Sequence, residues 1–336
     1  MQNEHTVLLE VELHGQGNHR REGARAGLSR TEWEIVSQET ALAIRTLRAF
    51  DNVIYRQEKM QLVQETVQLN EQAVTHLPEL VAAKRIGRAD LLVAQTEVVD
   101  AKAQIGPARA AYLAATQELR RAMGATEGTF QVRGSLDAPG NPWDADALTS
   151  TALERRADLH ARKEAIAEAD ARLRLAIADR HGNPTVGPTY EFNESRVHFI
   201  GGVVNVPLPL LNKRQGEIQQ RDAERARAAL EMRQTEVLIR LDVQAALARL
   251  QDARQWVDMY QGELLPNLRK SLKLMEDYLV GNEPNVDVLK IIDVRRKLLK
   301  ARDGYLDAHA ELRQAQADLA AAAGEPALAL TPSERK

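Results

Sequence analysis

The chain has 336 residues, a net charge of −3 and no cysteine, which excludes disulfides, thiolate metal sites and cysteine nucleophiles. Phe, Tyr and Trp make up only 4% of the residues, so large aromatic cores are excluded, although the length alone suggests two globular domains. A composition rich in Ala, Leu, Glu, Gln and Arg favours long helices or coiled coils, and no basic stripe indicates a nucleic-acid partner.

The chain begins with a predicted strand at residues 6–14, "TVLLEVELH". Val7 and Leu9 fall on one face of this strand, and Glu10 and Glu12 on the other. The two acidic residues interrupt the apolar run, which also lacks a basic start, so the segment is not a secretory signal. The sequence has no run of eighteen apolar residues, so no transmembrane helix is predicted.

A helix of about 65 residues is predicted at 19–84, which at 1.5 Å per residue is a rod on the order of 100 Å long. Apolar residues recur in it at every seventh position, which is typical of a seam against a neighbouring helix: Val53, Met60, Val67, Val74 and Val81. A bend follows at 85–89, and a second helix at about 89–123 completes the first hairpin, with Gly106-Pro107 as a possible kink.

Residues 125–150 are rich in Gly, Pro and Asp and predict an irregular connector. A helix is then predicted at about 151–181 and a β-hairpin at 185–207. Tyr190 and Phe192 alternate with polar residues on one side of its turn, and Val197 and Phe199 do so on the other.

The same order of elements then recurs. A long helix is predicted at about 213–278 with its own seven-residue seam at Val243, Leu250, Val257 and Leu264, followed by a bend at 279–285, a shorter helix at about 286–323 and a tail at 325–336. Residues 1–124 and 151–324 thus form two tandem repeats of a long helical hairpin. The predicted fold class is mainly α with a small β part.

Several strings resemble the TolC-type outer-membrane efflux channel family. "YLVGNEPNVDVLK" (278–290) and "KRIGRADLL" (84–92) are similar to the family's two hairpin turns, and "LERRADL" (153–159) is similar to the start of its third long helix. "VPLPLLNKRQGEI" (206–218) is closest to the cobalt–zinc–cadmium (CzcC-like) branch.

The resemblance implies a homotrimer in which each protomer gives strands to a shared transmembrane β-barrel in the outer membrane and long helices to a periplasmic tunnel. It also implies three further partners: outer-membrane lipid, a periplasmic adaptor and an inner-membrane pump of the resistance–nodulation–division type. The family's leading helix, first strand and signal sequence have no counterpart here, so we expect an N-terminally truncated start. The implied function is a passive exit duct, for which divalent heavy-metal cations are the expected cargo.

The family's hairpin turns meet the adaptor, and the corresponding residues here are Ile86, Gly87, Arg88, Val280, Gly281 and Asn282. The alternative interpretation is purely local. A glycine near the end of a helix is often a cap, because it tolerates a positive φ.

The resemblance also implies that Asp287 lines the periplasmic aperture, where three copies would form a cation-attracting ring. The other aperture candidates are Tyr278, Glu283, Lys290 and Asp90. Glu283 and Lys290 stand where the family often has a basic residue and a second Asp, so the latch must differ here. The alternative for both aspartates is stabilisation of a helix N-terminus.

On the strands, Glu10, Glu12, Glu191, Arg196 and His198 are expected to face water, and Tyr190, Phe192, Val197 and Phe199 to face lipid. The histidines are scattered, and no catalytic motif, phosphate loop or cofactor site is present. We therefore expect no enzyme activity and no metal site. Two alternatives remain open: a soluble coiled-coil scaffold or adaptor, and the same channel exporting drugs or a secreted protein.

Overall fold

The computed structural model describes residues 3–84, 86–128, 130–137, 143–192, 197–207, 213–280 and 288–330. It is mostly helical, with one small sheet. The strands are β1 (Asn3–Thr6), β2 (Leu9–Glu10), β3 (Thr185–Phe192) and β4 (His198–Asn205). The helices are α1 (Gln16–Thr75), α2 (Leu77–Ala82), α3 (Arg88–Met123), α4 (Ala145–Arg155), α5 (Ala157–Ala178), α6 (Gln215–Met259), α7 (Leu265–Val280) and α8 (Val288–Ala323).

Three short helical segments complete the description: 3₁₀ turns at Asp179–His181 and Pro326–Ala329, and a π-helical turn at Tyr260–Leu264 between α6 and α7. The chain divides into two compact units, Met1–Gln38 with Arg156–Ile239 and Glu39–Arg155 with Arg240–Lys336. Each unit combines segments from both sequence repeats. One hairpin alone cannot bury its apolar stripes, so the stripes pack against the other repeat.

In the first unit, α1 and α5 approach closely because α1 has glycines four residues apart. A Cβ on Gly23 would lie 3.5 Å from that of Ala171, and one on Gly27 would lie 3.2 Å from an oxygen of Glu168. The buried Glu168 accepts a hydrogen bond from Arg30 at 2.9 Å, and Arg172 donates another to it. Hydrogen bonds from two guanidinium groups keep the buried carboxylate satisfied.

β3 is the centre of the sheet and belongs to the same unit. It pairs antiparallel with β4 on one side and with β1 and β2 on the other. The predicted strand at 6–14 lies instead at 3–6 and 9–10, in the register Thr6 with Thr189 and Leu9 with Val186. Glu12 lies beyond β2, and its carboxylate forms an ion pair with Arg20 of α1.

In the second unit, the predicted seam residues Val53 and Val67 are buried, and Val53 packs with Leu119 of α3. Alanines of α8 supply much of the remaining core, since Ala315 and Ala323 are fully buried. Small side chains let long helices pack at short distances over many turns.

The first predicted long helix is shorter than expected. α1 ends at Thr75, and α2 begins at Leu77 with a proline in its first turn, Pro78. Proline has no N–H to donate to the preceding turn, and its ring crowds the carbonyl four residues earlier, so a regular helix cannot continue through it.

The helix predicted at 151–181 begins earlier and is divided. Asp144 accepts a hydrogen bond from the N–H of Asp146 at 3.2 Å, which starts α4 at Ala145 inside the predicted connector. Arg156 has an extended conformation, which separates α4 from α5, and its guanidinium donates two hydrogen bonds to Asp158. Burial raises the pKa of Asp158, but these hydrogen bonds and the positive charge outweigh it, and the net pKa is lowered.

The connector and the tail also contribute to the core. Leu136 of the connector is buried, and its carbonyl oxygen lies 3.4 Å from Nδ1 of the buried His309. In the tail, Ala329 is buried against Ile44 and Ala320. Both segments therefore hold the second unit together, although neither forms a long helix.

Candidate functional site at the helical bends

The first bend lies between α2 and α3. The N–H of Ala83 donates to Glu79 and that of Lys84 to Val81, each at 2.9 Å, which closes the last turn of α2. Lys84 then takes the left-handed conformation with φ 57°, which reverses the chain at the end of a helix. Residue 85 lies outside the described ranges.

Gly87 has a different role from the cap that its sequence suggested. Its φ is −77°, and it precedes α3 as the N-cap residue, so the local alternative, a C-terminal cap with a positive φ, does not describe it. Lys84 supplies the left-handed position instead. The N–H of Gly87 donates to Oδ2 of Asp90 at 2.9 Å, and a Cβ on Gly87 would lie 3.3 Å from that oxygen. The local interpretation of Asp90 as a residue that stabilises the helix N-terminus therefore agrees with its geometry.

The candidate adaptor-contact residues of this bend are not equally accessible. Gly87 and Arg88 are exposed, whereas Ile86 packs against the cluster formed by Leu77 and Ala94, which Ile292 of α8 also contacts. The first bend and the start of α8 thus share one apolar cluster.

Most candidates at the second bend lie outside the described residues, namely Gly281, Asn282, Glu283 and Asp287. Tyr278 and Val280 belong to the last turn of α7, but their side chains are not among those that the structure describes. Lys290 lies in the first turn of α8 and is exposed.

A groove of about 590 Å³ lies beside the first bend, between α1, α2, α3 and α8. Its floor is apolar and includes Leu62, Leu77, Leu80, Ala94, Ile291, Ile292 and Leu299. Its rim carries charges of both signs, from Glu97, Asp100, Arg295, Arg296, Lys300 and Asp303. A helix with an apolar stripe and charged flanks is the kind of ligand that such a groove accepts.

Ion pairs connect α8 to the first hairpin along this groove, and sequence reasoning missed them. Arg296 lies 3.5 Å from Glu97 of α3, and Arg302 donates to Glu65 of α1 at 2.7 Å. Lys59 of α1 contacts Asp303 at 2.5 Å and Asp307 at 2.8 Å. The seven-residue interval between Arg296 and Asp303 places both on one face of α8 and was the available signal.

The Lys59 group is the most buried of these connections. Burial lowers the pKa of Lys59, but hydrogen bonds to Asp303 and Asp307 outweigh it, and the net pKa is raised. Tyr55 donates to Asp307 at 2.6 Å, and burial together with this hydrogen bond raises the pKa of its hydroxyl. The raised pKa keeps Lys59 protonated across the physiological range.

Asp293 is an acidic residue near the second bend that the sequence did not single out. Lys297 and Arg296 lie 2.7 Å and 2.8 Å from its two oxygens. Their hydrogen bonds lower the pKa of Asp293, so its charge is both permanent and locally neutralised.

The sheet offers a second candidate surface, and its faces differ in part from expectation. Opposite residues of an antiparallel pair share a face. His198 pairs with Phe192 and accepts or donates a hydrogen bond at 2.6 Å with the Tyr190 hydroxyl, so it shares the face of those aromatic residues. Phe199 pairs with Glu191 on the other face. The expectations for His198 and Phe199 were therefore wrong, because five residues rather than an even number separate β3 from β4. Arg196 lies outside the described residues.

The corrected register still separates an apolar face from a polar one. The first face carries Leu9, Val186, Tyr190, Phe192, Ile200 and Val204, together with the polar residues Asn3, His5 and His198. The opposite face carries Glu4, Thr6, Glu10, Thr185, Thr189, Glu191 and Asn205, together with the apolar residues Phe199 and Val203.

Within the described ranges, no helix combines the length and apolar character needed to cross a membrane. The same ranges contain no group of three or more acidic or histidine side chains arranged to hold a metal ion.

Comparisons with known proteins agree on one fold. CusC, in a structure that concerns transmembrane channel formation, has a TM-score of 0.80 and 16% identity, covering 96% of this chain and 77% of that one. The outer-membrane channel OprN also has a TM-score of 0.80, with 14% identity and coverage of 96% and 80%. The MtrE outer membrane channel of Neisseria gonorrhoeae has a TM-score of 0.76, with 16% identity and coverage of 97% and 80%.

At these identities the likeness concerns the fold alone, and no curated protein sequence matches the chain. The sequence profile of one family, described as outer membrane efflux protein, matches residues 148–325, which is more than half of the chain. The chain therefore belongs to the outer membrane efflux protein family.

Proposed function

We propose that this chain is the outer-membrane channel component of a tripartite efflux pump. It acts as a passive exit duct, while an inner-membrane pump of the resistance–nodulation–division type supplies the energy. Family membership is the observation that carries this proposal, and the shared fold with outer-membrane channels over 96% of the chain supports it.

The exposed surface of the sheet supports assembly into a transmembrane β-barrel. On the apolar face, Ile200 is 84% exposed and Val204 is 68% exposed. Within the described residues β4 pairs only with β3, so its outer edge is open. Pairing with strands of other copies would close that edge, and lipid would cover the apolar face.

Helix α3 supports a homotrimer in the same way. Leu92, Val99 and Leu113 are all more than half exposed, and together with Gly106 they recur every seventh residue along one face. A seven-residue stripe of this kind fits a helix of a second copy. The family's threefold assembly would place such stripes between protomers of a periplasmic tunnel.

We further propose that the adaptor contacts the exposed part of the bends, Gly87 and Arg88, together with 280–282. The groove beside the first bend would receive an adaptor helix. Ile86 would act indirectly, by holding the first bend against α8.

Divalent heavy-metal cations are the proposed cargo, which rests on the resemblance of residues 206–218 to the cobalt–zinc–cadmium branch. The test is efflux in a strain that lacks this channel but retains its adaptor and pump. Restoring the gene is expected to raise tolerance to zinc, cobalt or cadmium salts. Tolerance to drugs alone would overturn the cargo but not the duct. A protein found in the soluble fraction with no gain in tolerance would favour a coiled-coil scaffold.

The aperture proposal makes a separate prediction. Three copies of Asp287 would attract cations at the narrowest point of the duct, so Asp287→Asn is expected to reduce the preference for cations. The measurement is the reversal potential of channels in planar bilayers under a salt gradient.

Asp287→Glu is the matched control, because it keeps the negative charge at this position, and its reversal potential should stay at the wild-type value. Equal shifts in both variants would contradict a role for the negative charge of Asp287. Tyr278, Glu283, Lys290 and Asp90 are proposed to shape the same aperture more weakly.

A further inference from the structure

The long helix of the second repeat contains one turn that is wider than the rest. The N–H of Leu265 donates to the carbonyl of Tyr260, five residues earlier, whereas an α-helix uses four. Such a turn contains one extra residue, which rotates everything after it by about 100° relative to a continuous α-helix.

The burial of the seam residues shows this rotation. Val243, Leu250 and Val257 are buried at seven-residue intervals, but the next predicted member, Leu264, is 38% exposed. Leu265 is buried in its place, at 5% exposure. If one residue of the turn were absent, Leu265 would fall at the seven-residue position and the seam would continue without a break. Packing alone therefore does not require the wide turn.

Two neighbours accommodate the turn. In a regular helix, the ring of Pro266 would collide with the carbonyl of Gly262, four residues earlier, and a wider turn relieves that collision. On the facing helix, Gly304 leaves space for the ring of Tyr260. A Cβ at position 304 would lie only 2.9 Å from Cζ of that ring. The Tyr260 ring thus packs against α8 at a position where the lack of a side chain on Gly304 leaves room for it.

The surroundings of the turn differ on its two sides. Trp256 and Tyr305 flank Tyr260, with ring centroids 6.3 Å and 6.5 Å away. The backbone at Gly262 faces open space, with no atom within 4 Å of where a Cβ would be. One side of the turn is therefore held by aromatic contacts, and the other can change conformation without a clash.

We propose that the π-turn at Tyr260–Leu264 is a pivot that lets α7 move against α8, and that the packing of Tyr260 against Gly304 defines the resting position of α7. α7 ends at Val280, where the sequence predicts the second bend, and movement at the pivot changes the position of that end of α7. The link from this movement to channel opening rests on the proposed function, whereas the pivot itself does not.

The test compares hydrogen exchange of the full chain in detergent across three variants. Deleting Gly262 together with Pro266→Ala removes both the extra residue and the proline, so a continuous α-helix can form with Leu265 still in the seam. Amides at 260–275 are expected to exchange about tenfold more slowly than in the wild type, since local opening becomes less frequent.

Pro266→Ala alone is the matched control. It keeps the extra residue, so the turn persists and exchange should stay within about twofold of the wild type. Gly304→Ala should accelerate exchange at 260–265, because the added Cβ displaces the Tyr260 ring from its packing against α8. Equal exchange in the wild type and the deletion variant, or unfolding of the deletion variant, would overturn the pivot.

Bilayer recordings separate this inference from the proposed function. The deletion variant is expected to open at least about tenfold less often than the wild type. Equal opening of the two would count against the pivot. A wild-type protein that conducts no ions would count against the channel, and the exchange comparison would then decide the pivot by itself.

Discussion

Replacing Asp51 by alanine is expected to lower the free energy of unfolding by about 3–5 kcal/mol. Nη2 and Nε of Arg313 donate to Oδ1 of Asp51 at 2.8 Å and 3.1 Å. The side chains are 0% and 6% exposed, for Arg313 and Asp51 respectively. Removing the carboxylate leaves a buried positive charge without this partner, which costs far more than the loss of a surface ion pair.

Denaturant or thermal unfolding of the purified chain in detergent measures this effect. Glu71→Ala is the matched control, because the pair of Glu71 with Lys102 is also short, at 2.7 Å, but both side chains are about half exposed. Its loss should change stability by less than about 1 kcal/mol. The double variant Asp51→Leu with Arg313→Met should recover most of the stability. Equal effects of Asp51→Ala and Glu71→Ala would contradict the assignment of the buried pair.

Placing arginine on the apolar face of the sheet is expected to block insertion into the membrane. Ile200→Arg, on β4, should cost about 2–4 kcal/mol if the residue faces the middle of the bilayer. Phe199→Arg should be tolerated, because Phe199 pairs with Glu191 on the face that would line water. The adjacent positions make the two variants a matched pair that differs in the face of the strand.

The measurement is the amount of chain recovered from the outer-membrane fraction as a detergent-resistant oligomer. Val204→Arg repeats the test four residues along the same face, at a different depth. If the protein were a soluble scaffold, an exposed substitution would change stability by no more than about 0.5 kcal/mol. All three variants would then behave like the wild type, and the barrel proposal would fail.

The sequence predicted the helices well where a repeating pattern carried the information. The seven-residue intervals placed nine residues on seams, of which five are buried: Val53, Val67, Val243, Leu250 and Val257. Met60, Val74 and Val81 are half-buried, and Leu264 is exposed. The hairpin at 185–207 was also predicted from alternation, and its strands lie within that range. A local pattern is enough to predict these elements, because apolar residues recur with the same period as the helix or strand that buries them.

The predictions that were wrong each depended on a shift of one residue in the register. Leu265 occupies the seam in place of Leu264 because the wide turn at Tyr260–Leu264 contains one extra residue. His198 and Phe199 exchanged faces because an odd number of residues separates the two strands. A shift of one residue leaves composition and period almost unchanged, so the sequence pattern hardly records it.

By itself, the sequence determined the long helices, the β-hairpin within 185–207 and the resemblance to efflux channels. Only the tertiary structure decided which segments pack together, because each compact unit draws on both repeats. It alone brought Arg313 to Asp51, 262 residues away in the chain, and Arg296 to Glu97. The reason is physical: local preferences fix each helix, whereas the choice among its possible partners depends on shape and charge along its whole length.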